Sequence, residues 1–442
     1  MTRRALLLGL AVLFAGFAAY GSFVPLRLRS IPVADAVATF RSTPLVPFAQ
    51  ASRTDLLTNV LLFVPIGFFL LGAVAWRRKG LTAFLAFPVV AASIALSVAI
   101  EFGQVFVAGR TPSWNDVVAD SVGACAGAGL WLLAGNRLVS WFTPVLESAA
   151  PSERVFRLLA VYTAAWLLMG VVPFDYTLRP QELAEKFREG RIVLQPFAPG
   201  TSIADVLSTW FMAMPVGVFC ALAALHFEVT APKLVAVVSG LCAVIGLEFA
   251  QVLAVSRTAD ATDVLIAAAG VGVGVHLGTR GASTPEAGAV RLWPLAAVAA
   301  WLLVVAARHW SPFDFVADGA FMRKRLSLML QLPFTSYYWG NPLVAFSEVM
   351  TKVLLAVPVG ALFQLVWLPR TARWRTLQFL AIAVLSAGIF LVVEIGQLML
   401  PTRIPDQTDI YIGVAGAVLG AGLIRLVSRG SEASQSTLRG DS

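Results

Sequence analysis

The stretch "EFGQVFVAGRTPSWND", residues 101–116, sets Glu101, Gln104, Arg110 and Asp116 at the end of an apolar run. A polar group in hydrocarbon costs free energy, so four of them together ask for a reason. The same spacing returns in "EFAQVLAVSRTADATD" from Glu248 and in "EIGQLMLPTRIPDQTD" from Glu394. In each copy Gln follows the glutamate at +3, Arg at +9 and Asp at +15, with glycines at +22 and +26. Glu248, Gln251, Arg257 and Asp263 therefore match the first set, as do Glu394, Gln397, Arg403 and Asp409. A period of about 147 residues indicates tandem copies of one unit.

Composition names the solvent. The 442 residues are 58% hydrophobic and 13% charged, against roughly 25% charged in soluble domains. Apolar runs long enough to cross about 30 Å of hydrocarbon as helices fall near 5–24, 55–76, 81–107, 113–133, 155–172, 203–227, 232–254, 261–279, 291–307, 345–367, 373–400 and 407–427. The expectation is an all-α, polytopic integral membrane protein with about 12 transmembrane helices in three parallel four-helix repeats. The repeats are drawn at 1–145, 146–285 and 286–430, followed by a polar C-terminal tail at 431–442. Four spans per repeat give all three one orientation, unlike inverted repeats.

The N-terminal "MTRRALLLGLAVLFAGFAAYGS" has the layout of a signal peptide, with Arg3 and Arg4 ahead of an apolar stretch and Ala19-Tyr20-Gly21 at its end. Equivalent apolar segments open the other two repeats, where no signal peptide can stand, so a retained helix is expected. The net charge of +8 would suggest nucleic acid in a soluble chain. Here Arg77-Arg78-Lys79, Lys233, "RTARWR" (370–375), Arg425 and Arg429 gather on the side of Arg3 and Arg4. By the positive-inside rule that side is the cytoplasm, which predicts a bacterial cytoplasmic-membrane protein with cytoplasmic N- and C-termini and no nucleic-acid partner. Arg323-Lys324-Arg325 falls outside, on an amphipathic stretch that could rest on anionic lipid headgroups. Cys125, Cys220 and Cys242 lie inside apolar segments, and His226, His276 and His309 are scattered. Neither a disulfide framework, a metal nor a cofactor is expected.

Other features keep step with the motif. Pro65-Ile-Gly67, Pro215-Val-Gly217 and Pro358-Val-Gly360 sit midway along the second helix of each repeat, each ten residues after an acid, Asp55, Asp205 or Glu348. Short amphipathic stretches at 33–41, 180–191 and 318–330 precede Pro-Phe at 47–48, 196–197 and 333–334. Such stretches fit the membrane interface. "PFD" follows the first helix at Pro173 and Pro312, whereas the first copy reads Pro25-Leu26-Arg27.

Residues three apart share a helix face, so Glu and Gln point together, on the order of 10 Å below the outer end of the third helix. The arginine belongs to the outer turn and the +15 aspartate to the first turn of the next helix. Each repeat can thus gather carboxylates, carboxamide and guanidinium in a pocket opening to the extracytoplasmic face. The structural readings stand beside this one. Ser113 with Asp116 and Asp260 with Asp263 fit helix caps, and Glu and Arg can pair to close the turn. The glycines allow close helix packing, and the prolines mark kinks. Two carboxylates with an arginine are also compatible with Mg²⁺ and a phosphate, without requiring them.

"NVLLFVPIGFFLLG" (59–72) followed by "IEFGQVFVAGRTPSWNDVVADSVGACAG" (100–127) resembles the VanZ-like family, membrane proteins associated with low-level resistance to the glycopeptide teicoplanin. The resemblance singles out the twelve motif residues as ligand-binding positions. It departs where Asn59 becomes Thr209 and Lys352, and where Asn115 becomes Thr262 and Thr408, so the first copy keeps the fuller pattern and is the expected site if only one copy is active. The resemblance gives a setting and not a reaction; with the polar pocket, the leading expectation is an envelope protein that binds an anionic, phosphate- or carboxylate-bearing lipid or cell-wall precursor at its outer face. Arg110 would hold the anion, Glu101 and Asp116 orient it, and Gln104 donate hydrogen bonds. A transporter or lipid scramblase hinged at Pro-x-Gly, a membrane enzyme acting on lipid- or polyprenyl-phosphate headgroups, and a structural partner of an export complex are the alternatives.

Overall fold

The computed structural model describes residues 3–47, 50, 52–76, 79–147, 151–198, 201–280, 290–339, 342–369 and 371–439. Phe48, Arg77, Arg78, Arg370 and most of the connection after Arg280 lie outside the described residues. Twelve helices among those described are long and apolar enough to cross a membrane. Most are apolar around their whole circumference, as suits a helix with lipid or protein on every side.

The chain divides into two compact units, residues 1–141 with 332–345, and residues 142–331 with 346–442. The first holds α1 (Arg3–Phe23), the short α2 (Val33–Ser42), α3 (Arg53–Val74), α4 (Thr82–Gln104) and α5 (Trp114–Leu130). A π-helical turn at Trp131–Gly135 carries α5 on into α6 (Asn136–Glu147), beyond the expected end near 133. The second unit holds α7 (Pro151–Val171), the short α8 (Pro180–Arg188), α9 (Ile203–His226), α10 (Pro232–Leu253) and α11 (Ala261–Arg280). It continues with α12 (Trp293–Trp310), the short α13 (Gly319–Met329), α14 (Pro342–Val366, in this unit from Phe346), α15 (Ala372–Leu398) and α16 (Gln407–Arg439).

Helix starts follow from their side chains. The hydroxyls of Ser52, Ser113 and Ser202 accept the backbone N–H of Asp55, Asp116 and Ala204, satisfying donors that a helix start leaves orphaned. The expected acids Asp55 and Asp205 stand in the first turns of α3 and α9, where the helix dipole favours them. Pro65, Pro215 and Pro358 lie inside α3, α9 and α14.

The paired glycines set the closest helix contacts. A Cβ on Gly123 or Gly127 of α5 would strike the carbonyl oxygens of Val60 or Val64 on α3. Gly270 and Gly274 of α11 meet Trp210 and Met214 of α9 in the same way, and Gly416 and Gly420 of α16 meet Val353 and Val357 of α14. The glycine of each Pro-x-Gly is pressed from the other side: Gly67 against Ala124, Gly217 against Val271 and Gly360 against Ala417. Small residues let these backbones touch, which is how helices gain packing energy in lipid. Around these contacts Phe63, Ile66 and Ile100 are buried in the first unit, and Val216, Val244 and Val271 in the second.

One turn recurs after the first helix of each set. The bonds Val24-Pro25, Val172-Pro173 and Ser311-Pro312 are cis, and the next residue, Leu26, Phe174 or Phe313, has φ of 58°, 66° or 66°. The first copy, which lacks "PFD" in sequence, therefore keeps the same turn. Each following segment is stitched to a motif-bearing turn by backbone bonds: Arg29 N–H to Phe106 and Ala108 N–H to Arg27, Val255 N–H to Asp175 and Thr177 N–H to Leu253, and Val316 N–H to Met399.

Candidate functional site

Each motif glutamate spans a helix hairpin. Glu101 Oε2 accepts the backbone N–H of Ser113 at 2.8 Å, Glu248 Oε2 that of Asp260 at 3.3 Å, and Glu394 Oε2 that of Asp406 at 2.9 Å. The acceptor on the third helix thus satisfies an N–H at the start of the fourth, which hydrocarbon would otherwise leave unpaired. Asp260 and Asp406 complete the cap by accepting the N–H of Thr262 and Thr408.

The arginines bind backbone carbonyls. Arg110 donates to the carbonyl oxygens of Val24 at 2.9 Å and Gly21 at 2.6 Å. Arg257 donates to Val172 at 2.6 Å and Met169 at 2.7 Å, and Arg403 to Ser311 at 2.8 Å and Arg308 at 3.5 Å. In every copy the fork closes the end of the first helix, beside the cis-proline turn, where carbonyls lack partners. Burial pushes the Arg257 and Arg403 guanidinium pKa values down from their usual range.

The +15 aspartates face the second helix, at the positions where the copies differ. Asn59 stands beside Asp116. Thr209 Oγ1 donates to Asp263 Oδ1 at 3.3 Å. Lys352 Nζ forms a salt bridge with Asp409, at 2.8 and 2.6 Å to its two oxygens. The second variable position is a tether: Asn115 bonds both backbone groups of Val46, at 2.8 and 2.9 Å, and Thr262 Oγ1 accepts the N–H of Phe197 at 2.9 Å.

Access separates the copies. Glu101 is 3% exposed and Glu394 1%, and each accepts from the carboxamide of its own glutamine, Gln104 at 2.9 Å and Gln397 at 3.3 Å. In the middle copy Gln251 turns away and donates to the carbonyl of Gly170 at 3.2 Å. Glu248, Gln251, Arg257 and Asp263 are only half-buried and line a cavity of about 240 Å³. Ser208, Thr209, Ser347 and Thr351 add hydroxyls to its wall. Trp166, Met169, Met212, Leu247 and Leu354 make the apolar side. All four predicted residues of the middle set thus meet in one concave, amphipathic space, the form that small-molecule sites take.

Among the described residues, several buried groups escaped the spacing argument, three of them beside the motif helices. Asp120 is 5% exposed and accepts the Ser97 hydroxyl at 2.6 Å; the other copies have Ala267 and Gly413 there, so no periodicity marks it. Lys186, 1% exposed, donates to the carbonyls of Gln251, Val252 and Ala254 at 2.5, 3.0 and 2.6 Å, capping α10. Arg325 likewise donates to the carbonyls of Gln397 and Arg403. Expected to rest on lipid headgroups, Arg325 is instead 9% exposed, drawn inward by the unpaired carbonyls ending α15.

Twelve apolar spans with polar hairpin caps buried among them define a polytopic helical membrane protein. The chain matches the VanZ/LLP1 family over residues 6–135 and 295–428, and it belongs to that family. No curated protein and no solved structure matches it.

Proposed function

We propose that this VanZ-family protein is a cell-envelope binder that holds an anionic, phosphate- or carboxylate-bearing amphiphile, a lipid or cell-wall precursor, at its extracytoplasmic face. The residues between the two family matches are, in this reading, a third and diverged unit, and its cavity is the seat of the ligand. The observation that carries the reading is that cavity: Arg257, two carboxylates and four hydroxyls opposite an apolar wall. A headgroup has polar partners on one side, and its chains have Trp166, Met212 and Leu354 on the other. A link to teicoplanin resistance would follow from altered presentation of wall precursors. The first copy keeps the fuller family pattern, but its glutamate is shut, which moves the assignment to the middle copy.

Native mass spectrometry of the gently extracted protein tests this. A lipid-sized adduct is expected on the wild type and on Asn59→Phe, and is expected to vanish in Thr351→Phe, which fills the middle cavity. An adduct that survives Thr351→Phe but is lost in Asn59→Phe would return the site to the first copy. No adduct on the wild type would end the binding reading.

A further inference from the structure

The middle cavity carries more acid than base. Its ionisable groups are Glu248, Asp263 and Arg257. Among the described residues, Oε1 of Glu248, Oδ2 of Asp263 and Nη1 of Arg257 are engaged by no other group, while their remaining polar atoms are bonded to the protein. The space therefore offers one cationic donor and two carboxyls that are acceptors in their ionised forms. A purely anionic headgroup would satisfy the donor and be repelled by the acceptors; a purely cationic one would do the reverse. A headgroup carrying phosphate and, a few bonds away, a protonated amine satisfies both. Its ammonium would also favour the ionised forms of the two carboxyls.

Resting on the binding reading above, we infer that the cavity of the middle copy recognises an aminated, zwitterionic phosphate headgroup, with Arg257 on the phosphate and Glu248 and Asp263 on the ammonium. Size agrees. A volume of about 240 Å³ admits a phosphoethanolamine-sized group. Ser347 Oγ, 3.4 Å from Arg257, adds a hydroxyl beside the phosphate position.

The test uses the purified full-length chain in detergent with equimolar phosphatidylethanolamine, phosphatidylglycerol and N-acetyl-phosphatidylethanolamine of identical chains, read by native mass spectrometry. The wild type is expected to retain phosphatidylethanolamine over each of the others by about tenfold, the effect of one charge-assisted hydrogen bond. Asp263→Asn, which keeps an oxygen for Thr209, should bring that preference towards equality, as should Glu248→Gln; either one suffices if the other fails to fold. Glycerophosphoethanolamine as a soluble competitor distinguishes sources: weak displacement supports a lipid ligand, and full displacement supports the same headgroup chemistry on a soluble one. Equal retention of phosphatidylglycerol or of the N-acetylated lipid by the wild type would overturn the amine assignment and leave the binding reading intact. Retention of none of the three would overturn both.

Discussion

The middle and last motifs share glutamate, glutamine, arginine and aspartate at the same offsets, yet one lines a partly open cavity while the glutamate, glutamine and aspartate of the other are buried. The difference lies on the second helix. Where the middle copy has Thr209, the last has Lys352, whose ammonium reaches Asp409 and supplies its counter-charge inside the protein. Asp409 is accordingly 6% exposed, while Asp263 is half-buried against the cavity. Hairpin capping is common to both, so capping alone explains why the motif recurs; it does not explain why one copy stays open. The same spacing can thus serve as architecture in one place and as the frame of a binding space in another.

That contrast can be broken from the closed side first. Lys352→Met removes a partner of the buried Asp409 carboxylate, at a cost of about 3 kcal/mol, the low end for a buried pair because Lys352 is itself 28% exposed. The thermal midpoint in detergent should fall further than for any glycine-to-leucine or glutamate-to-glutamine variant; an unchanged midpoint would mean that the ion pair does not close the last motif. A comparable test of the shared framework is Gly274→Leu. The new side chain must drive α11 away from the backbone of α9, with a loss of about 1–3 kcal/mol. The same loss is expected for Gly123→Leu in the first unit, and an indifferent midpoint would place that face against lipid.

Smaller effects come from the glutamates. Glu101→Gln keeps an oxygen for the Ser113 N–H but sets an amide against the amide of Gln104, at a cost of about 1–2 kcal/mol. Glu394→Gln should behave alike. Glu248→Gln should cost less, because its cap bond is longer, at 3.3 Å, and Gln251 already points elsewhere. Midpoints ranked with the middle variant least affected would support the comparison, and equal losses in all three would erase it.

Much of this was legible from the chain. Apolar runs gave the twelve spans, the Glu-to-Asp offsets gave the hairpins, and Ser113 and Asp260 read correctly as helix starts. The change from Asn59 to Thr209 and Lys352 was visible as a departure, although its meaning required knowing that this position faces the +15 aspartate. The backbone partners of the arginines were hidden for a physical reason: the carbonyls that end α1, α7 and α12 come into reach only through the turn that follows each helix, and spacing carries no trace of that. Asp120 stayed hidden because it is not repeated. Lys186 and Arg325 lie on amphipathic helices whose charges look solvated in sequence, and only the packed fold shows them capping α10 and α15.

The comparison comes to a point in one substitution. Thr209→Lys installs the cation of the last motif in the cavity of the middle one, next to Asp263, and asks little of the packing. The thermal midpoint should stay within about 1 kcal/mol of the wild type, as for most substitutions at partly exposed sites. The lipid adduct expected in native mass spectrometry should disappear, because the lysine side chain fills the space beside Asp263. A folded Thr209→Lys protein that retains the adduct at wild-type occupancy would contradict the account.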